Sequence, residues 1–140
     1  MRVLFLRNLF IIETILISVQ AVVGMVVNLY EVVPFPINFN AFAYSVQGAG
    51  FGVHHYIGAL IILLAILALV ISIRIRNPSF SKISLVGLVL LVVSYGGGII
   101  FVFLKPNNSY SLIMAVAAVS ALVVYTSAIF LVPKDTQVSR

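Results

Sequence analysis

Two adjacent histidines, His54 and His55, are the side chains in this sequence best suited to hold a cofactor. Imidazole binds haem iron and transition metals, and the thioether of a methionine is a second axial ligand used by cytochromes. Met114 supplies such a thioether, and soft methionine with histidine also suits copper. The absence of cysteine excludes a disulfide, a thiolate nucleophile and an iron–sulfur cluster. These three residues are therefore candidate axial ligands of a haem b group.

The elements that must position these ligands are apolar. Of the 140 residues, 63% are hydrophobic and only 8% are charged, whereas soluble domains carry roughly 25% charged residues. One membrane crossing needs about 20 apolar residues in a helix. The sequence therefore predicts a single transmembrane domain over residues 1–140, an all-α, integral membrane, up-down four-helix bundle. The four predicted helices cover residues 9–30, 53–73, 83–104 and 110–132.

The distribution of basic residues predicts the orientation of this bundle. Seven of the eight basic residues flank the ends that this topology places together, and Lys105 alone lies on the other side. The positive-inside rule then places both termini in the cytoplasm of a multi-pass protein of the cell membrane. This topology explains the net charge of +5, because basic residues gather on the cytoplasmic side, where they are attracted to anionic lipid headgroups. The net charge therefore does not call for a nucleic-acid partner.

The connection between the first two helices differs from the other connections. Residues 31–52 are rich in phenylalanine, carry no charge after Glu31 and end in three glycines. Aromatic residues favour the membrane interface, so this segment is predicted to lie in the outer interface. A lid over the mouth of the bundle is the functional alternative. The topology places Tyr30 and Glu31 at the depth of the two histidines and Met114, as candidate neighbours of the site.

Polar and small residues mark the faces that should point into the bundle, because polar groups in a membrane need partners. His54 lies on such a face, whereas His55 is predicted to be more peripheral. Glu13 also lies on an inward face. It is expected to extend toward water or to pair with Arg7, and the functional alternative is a part in a proton relay. Gly96, Gly97 and Gly98 indicate close helix packing or, alternatively, a hinge or a flattened face. The predicted inward faces are Glu13, Gln20, Gly24 and Glu31; His54, Gly58, Ala65 and Ser72; Gly87, Ser94 and Gly98; and Met114, Ala118, Ala121 and Tyr125.

With its four-helix layout and a histidine at the head of the second helix, the chain resembles a half-length haem A synthase or a b-type cytochrome bundle. The resemblance implies haem-ligating histidines on the second and fourth helices, near the outer face. His54 or His55 matches the position on the second helix. The fourth helix contains no histidine, so Met114 would have to take the second position.

Three classes of function follow from these observations. The first is a non-catalytic accessory or structural subunit of a membrane complex, such as a respiratory one, with the lipid bilayer and other membrane subunits or a second copy as partners. The second is a haem-binding, cytochrome-like or haem-handling protein. The third is a small transporter or channel. Enzyme chemistry is not expected, because the sequence shows no adjacent nucleophile and base and no phosphate-binding glycine loop.

Overall fold

The computed structural model describes residues 2–30, 48–104 and 108–132, and these form four α-helices. Each helix is long and apolar enough to cross a membrane, so the chain is a multi-pass membrane protein. The prediction of four helices long and apolar enough to span a membrane is confirmed, and the described residues are all-α. The helices are α1 (Arg2–Tyr30), α2 (Ala49–Ile75), α3 (Pro78–Leu104) and α4 (Asn108–Leu131).

The link between α2 and α3 is shorter than the sequence predicted. Arg76 ends α2 in the left-handed conformation, with a φ of 59°, and its N–H donates to the carbonyl of Ile73. The Asn77 side chain then accepts a hydrogen bond from the backbone N–H of Ser79 at 3.0 Å. Pro78 starts α3, where its missing N–H has no cost. Most of the stretch between the predicted helices 53–73 and 83–104 is therefore the end of α2 and the first turns of a capped α3.

The four helices pack in a ring. α1 contacts α2, α2 contacts α3, α3 contacts α4, and α4 closes the ring on α1. The contact between α3 and α4 is the most extensive, and that between α4 and α1 is the least. Residues late in one helix contact residues early in the next, so consecutive helices are antiparallel neighbours. These contacts are Gly24 with His54, Ser72 with Ser84, and Gly98 with Met114.

The core of the ring is built mainly from aliphatic, alanine and aromatic side chains. Alanines dominate the inward faces of α2 and α4, which lets the helices approach closely. Large apolar side chains also cover the outside of every helix, as expected of a surface in contact with lipid. The main buried cluster includes Leu6, Phe10, Ile17, Ile61, Ala65, Ala68, Leu91, Ala121, Tyr125 and Ala128.

Several predictions fall on residues outside those that the structure describes. Glu31 and the aromatic part of the segment between α1 and α2 are among them, so both the interfacial placement and the lid stay predictions. Tyr30 ends α1 and is 79% exposed. The side of the membrane on which the termini lie also stays a prediction.

Candidate functional site

His54 belongs to the interface between α1 and α2. A Cβ atom at Gly24 would lie only 2.7 Å from Cε1 of the His54 ring, so glycine is needed for this approach. The side-chain amide of Gln20 donates a hydrogen bond of 2.6 Å to the His54 backbone carbonyl. Gln20 and Gly24 lie on the predicted inward face of the first helix. The structure therefore confirms that this face meets His54.

His55 belongs instead to the interface between α2 and α3. The hydroxyl of Tyr95 lies 3.1 Å from Nε2 of His55, and the two ring centroids are 5.4 Å apart. The same tyrosine ring packs on Gly58, where a Cβ would lie 3.3 Å from Cδ2. His55 is half-buried, as His54 is, and the contrast between an inward His54 and a more peripheral His55 stays a prediction. The long Tyr95 side chain reaches across from α3, and helical spacing on α2 alone does not show it.

Met114 packs at the interface between α3 and α4. Its sulfur lies 3.2 Å from the position that a Cβ of Gly98 would take. Its backbone carbonyl accepts a hydrogen bond of 3.0 Å from the Ser94 hydroxyl. The small-residue face predicted for the third helix thus lies against α4. Of the three consecutive glycines, Gly97 and Gly98 contact α4, whereas a Cβ at Gly96 would meet nothing within 4 Å.

The three candidate ligands therefore take part in three different helix interfaces. A haem between them would have to replace the packing of His54 on Gly24 and of Met114 on Gly98. Within residues 2–30, 48–104 and 108–132, no three His, Asp or Glu side chains are grouped so that they could hold a metal ion. Axial ligation by His54, His55 and Met114 stays a prediction, as do the roles of Tyr30 and Glu31.

A second group of polar side chains lies between α1 and α4. Glu13 is 0% exposed, and neither of its carboxyl oxygens has a hydrogen-bond partner among the described residues. The expectation that Glu13 extends toward water or pairs with Arg7 is therefore wrong. Its position on α1 turns it into the core, between the buried residues Phe10 and Ile17. A buried carboxyl in this condition is unusual in native proteins.

Tyr125 of α4 packs against the face of α1 that carries Glu13. Its side chain is 0% exposed, and its hydroxyl lacks a hydrogen-bond partner within the described parts of the chain. A Cβ at Gly87 would lie 2.6 Å from Cζ of Tyr125, so this glycine makes the room for the ring. The Phe10 ring packs on it with centroids 5.7 Å apart. Helical spacing placed Glu13 and Tyr125 on inward faces but did not show that Tyr125 packs on the face of α1 that carries Glu13.

No protein-family model, no curated protein and no solved structure matches this chain. The resemblance to haem A synthase and b-type cytochrome bundles thus stays a prediction from layout and one histidine position.

Proposed function

We propose that this protein is a non-catalytic accessory subunit of a membrane complex. The observation that supports this role best is that the residues most capable of chemistry are used for contacts between helices. His54 packs on Gly24, His55 bonds to Tyr95, and the sulfur of Met114 packs at Gly98. Each of them joins two helices of the same chain. Such use is typical of residues that hold a bundle together.

The outer surface supports a partner within the membrane. Large apolar side chains are exposed on all four helices, and α3 also carries a glycine where a side chain would have open space around it. An outward glycine lowers the helix surface locally, and another transmembrane helix can approach its backbone closely there. We propose that Gly96 is part of the surface that binds a partner subunit.

The proposed setting is the cell membrane, with both termini in the cytoplasm. Seven basic residues gather at the predicted cytoplasmic ends, which favours this orientation through the positive-inside rule. Attraction to anionic lipid headgroups explains the excess of positive charge at these ends, so a nucleic-acid partner is not needed.

Purification from the native membrane in a mild detergent tests the accessory role. The tagged protein should elute in a complex of higher mass, together with other membrane proteins or a second copy. Gly96→Leu should release it from the complex by filling the open space, without disturbing the bundle. Val123→Leu, on the exposed face of α4, is the matched control and should leave the complex intact. Recovery of the wild-type protein as a lone monomer would contradict the proposal.

An absorption spectrum separates the accessory role from the haem-binding alternative. The accessory role predicts a featureless visible spectrum after expression with ample haem. A Soret band that is lost in His54→Ala would instead assign a haem b site to the end of the bundle where the histidines lie. A low-spin spectrum unchanged in Met114→Leu would then remove Met114 as the second ligand.

A further inference from the structure

Glu13 is the one acidic residue in the part of the chain that the structure describes, and it lies in the bundle interior. Both of its carboxyl oxygens and the hydroxyl of Tyr125 are buried without hydrogen-bond partners there. The Tyr125 ring packs across the interface between α1 and α4 on Phe10, which lies about one helical turn before Glu13 on the same buried face. Isolated polar groups in this condition are rare in native interiors, and an ionisable one inside a membrane indicates a functional site.

The helices packed against α1 present no charged partner to this carboxyl. α1 contacts α2 and α4. Residues 57–73 of α2 contain no titratable side chain, and residues 111–131 of α4 contain only Tyr125. On α1 itself the nearest charge in sequence is Arg7, whose Nε is also buried without a hydrogen-bond partner among the described residues. The other titratable residues of α2 lie near its two ends, and they are His54, His55, Tyr56 and Arg74.

This arrangement favours the neutral form of the carboxyl. A buried carboxylate without a donor or a counter-ion is very costly, whereas a protonated carboxyl loses the charge and gains an O–H donor. The Tyr125 hydroxyl, which is buried and makes no hydrogen bond to Glu13 in this structure, is an acceptor for that donor once the two side chains come within bonding distance. We infer that Glu13 and Tyr125 form a proton-binding site at the interface between α1 and α4, and that this interface opens when the proton leaves.

The interface between α1 and α4 is the one best placed to open. It is the least extensive of the four helix contacts. α1 and α4 are the first and last helices, so no direct loop joins them, whereas each of the other contacts is between consecutive helices. Tyr125 is held in the space left by Gly87 of α3 and stays with that helix when α1 moves. In the open form the Glu13 proton passes to water, and the carboxylate is hydrated; rebinding of a proton reverses both steps.

Infrared spectroscopy of the full chain in lipid vesicles tests the proton-binding site. The wild-type protein should show the C=O stretch of a neutral carboxylic acid at neutral pH, and this band should shift in D₂O. It should disappear in Glu13→Gln, which keeps the size of the side chain. It should persist in Glu31→Gln, the matched control at the other glutamate. In Tyr125→Phe the band should shift in frequency, because the neighbouring hydroxyl is gone.

Two infrared results would overturn the proposal that Glu13 belongs to a proton-binding site. One is a wild-type spectrum with no neutral carboxyl band at neutral pH. The other is a band that survives in Glu13→Gln, since the proton would then belong to another acid. Circular dichroism of Glu13→Gln verifies that the loss of the band does not come from unfolding.

Distances between spin labels test whether the interface between α1 and α4 opens when the proton leaves. The chain has no cysteine, so Phe5→Cys on α1 and Phe130→Cys on α4 place two labels at exposed positions across the interface. From neutral to alkaline pH their separation should lengthen in the wild-type background and stay unchanged in Glu13→Gln. A label pair at Leu85 of α3 and Phe130 should not move. Equal distances at both pH values, or an equal change in Glu13→Gln, would overturn the coupling.

Discussion

At the scale of single residues, glycine and tyrosine decide how closely the helices approach. Tyr125 and Tyr95 each lie against a glycine of a neighbouring helix, Gly87 and Gly58 respectively. A tyrosine ring fills an interior well, but its hydroxyl needs a partner when it is buried. Tyr95 bonds to His55, whereas the buried hydroxyl of Tyr125 has no hydrogen-bond partner among the described residues. Tyr95 thus has a partner for its hydroxyl in one helix interface, whereas Tyr125 brings into another interface a hydroxyl that lacks a partner among the described residues.

A methyl group added at Gly87 should destabilise the bundle. Its Cβ would lie 2.6 Å from Cζ of Tyr125, so the ring would have to shift inside a packed core. We expect Gly87→Ala to lower the free energy of unfolding by about 1–3 kcal/mol. Unfolding in detergent, followed by circular dichroism, measures this loss. Gly96→Ala is the control and should cause no loss, since its Cβ meets nothing within 4 Å; equal losses in both variants would contradict the role of Gly87.

At the scale of the elements, the ends of the helices follow from local chemistry. Arg76 in the left-handed conformation closes α2, and Asn77 and Pro78 open α3 at once. The short link holds the two helices antiparallel. It also brings Ser72 and Ser84 within 2.8 Å of each other inside the core. A hydroxyl pair of this kind satisfies two buried polar groups and aligns the helices along their length.

Removal of the Asn77 cap should weaken the start of α3. The side-chain oxygen accepts hydrogen bonds from the N–H groups of Ser79 and Phe80, which have no partner within the first turn of a helix. Asn77→Ala should cost about 1 kcal/mol of unfolding free energy. Asn77→Asp keeps the acceptor and should restore most of the stability. Thermal unfolding of the three proteins in one detergent measures both values, and an unchanged Asn77→Ala would show that the cap is dispensable.

At the scale of the whole molecule, the ring of helices separates an apolar exterior from an interior with few polar groups. Those groups lie at two levels. Gln20, His54, His55 and Tyr95 lie toward one end of the bundle, where the chain leaves α1 and enters α2. Glu13 and Tyr125 lie toward the end that holds the N-terminus and the end of α4. The proposed proton-binding site is therefore distinct from the site predicted around the histidines.

Cysteine labelling tests the proposed orientation of the whole bundle. Single cysteines at the exposed positions Ser79 and Asn108 report on its two ends, because the chain has no cysteine of its own. The positive-inside rule predicts that Asn108→Cys reacts with an impermeant maleimide added outside intact cells. Ser79→Cys should react only after the cells are permeabilised. The reverse pattern would invert the topology.

Much of the architecture was determined by the sequence alone. Four apolar stretches of spanning length leave a helix as the favourable way to satisfy the backbone inside a membrane. Helical periodicity also identified Glu13, Gly24, Gly87 and Tyr125 as inward residues, because polar and small groups avoid a lipid-facing surface.

Only the tertiary structure decided which of those residues meet. Periodicity orients each helix about its own axis, but it says nothing of the level at which one helix crosses another. Tyr95 reaches His55, and Tyr125 reaches Phe10 on the face that carries Glu13, because antiparallel packing puts them at matching levels. Met114 lies against Gly98 for the same reason. A contact between distant parts of a chain depends on the relative placement of whole helices, and local spacing carries no information on that placement.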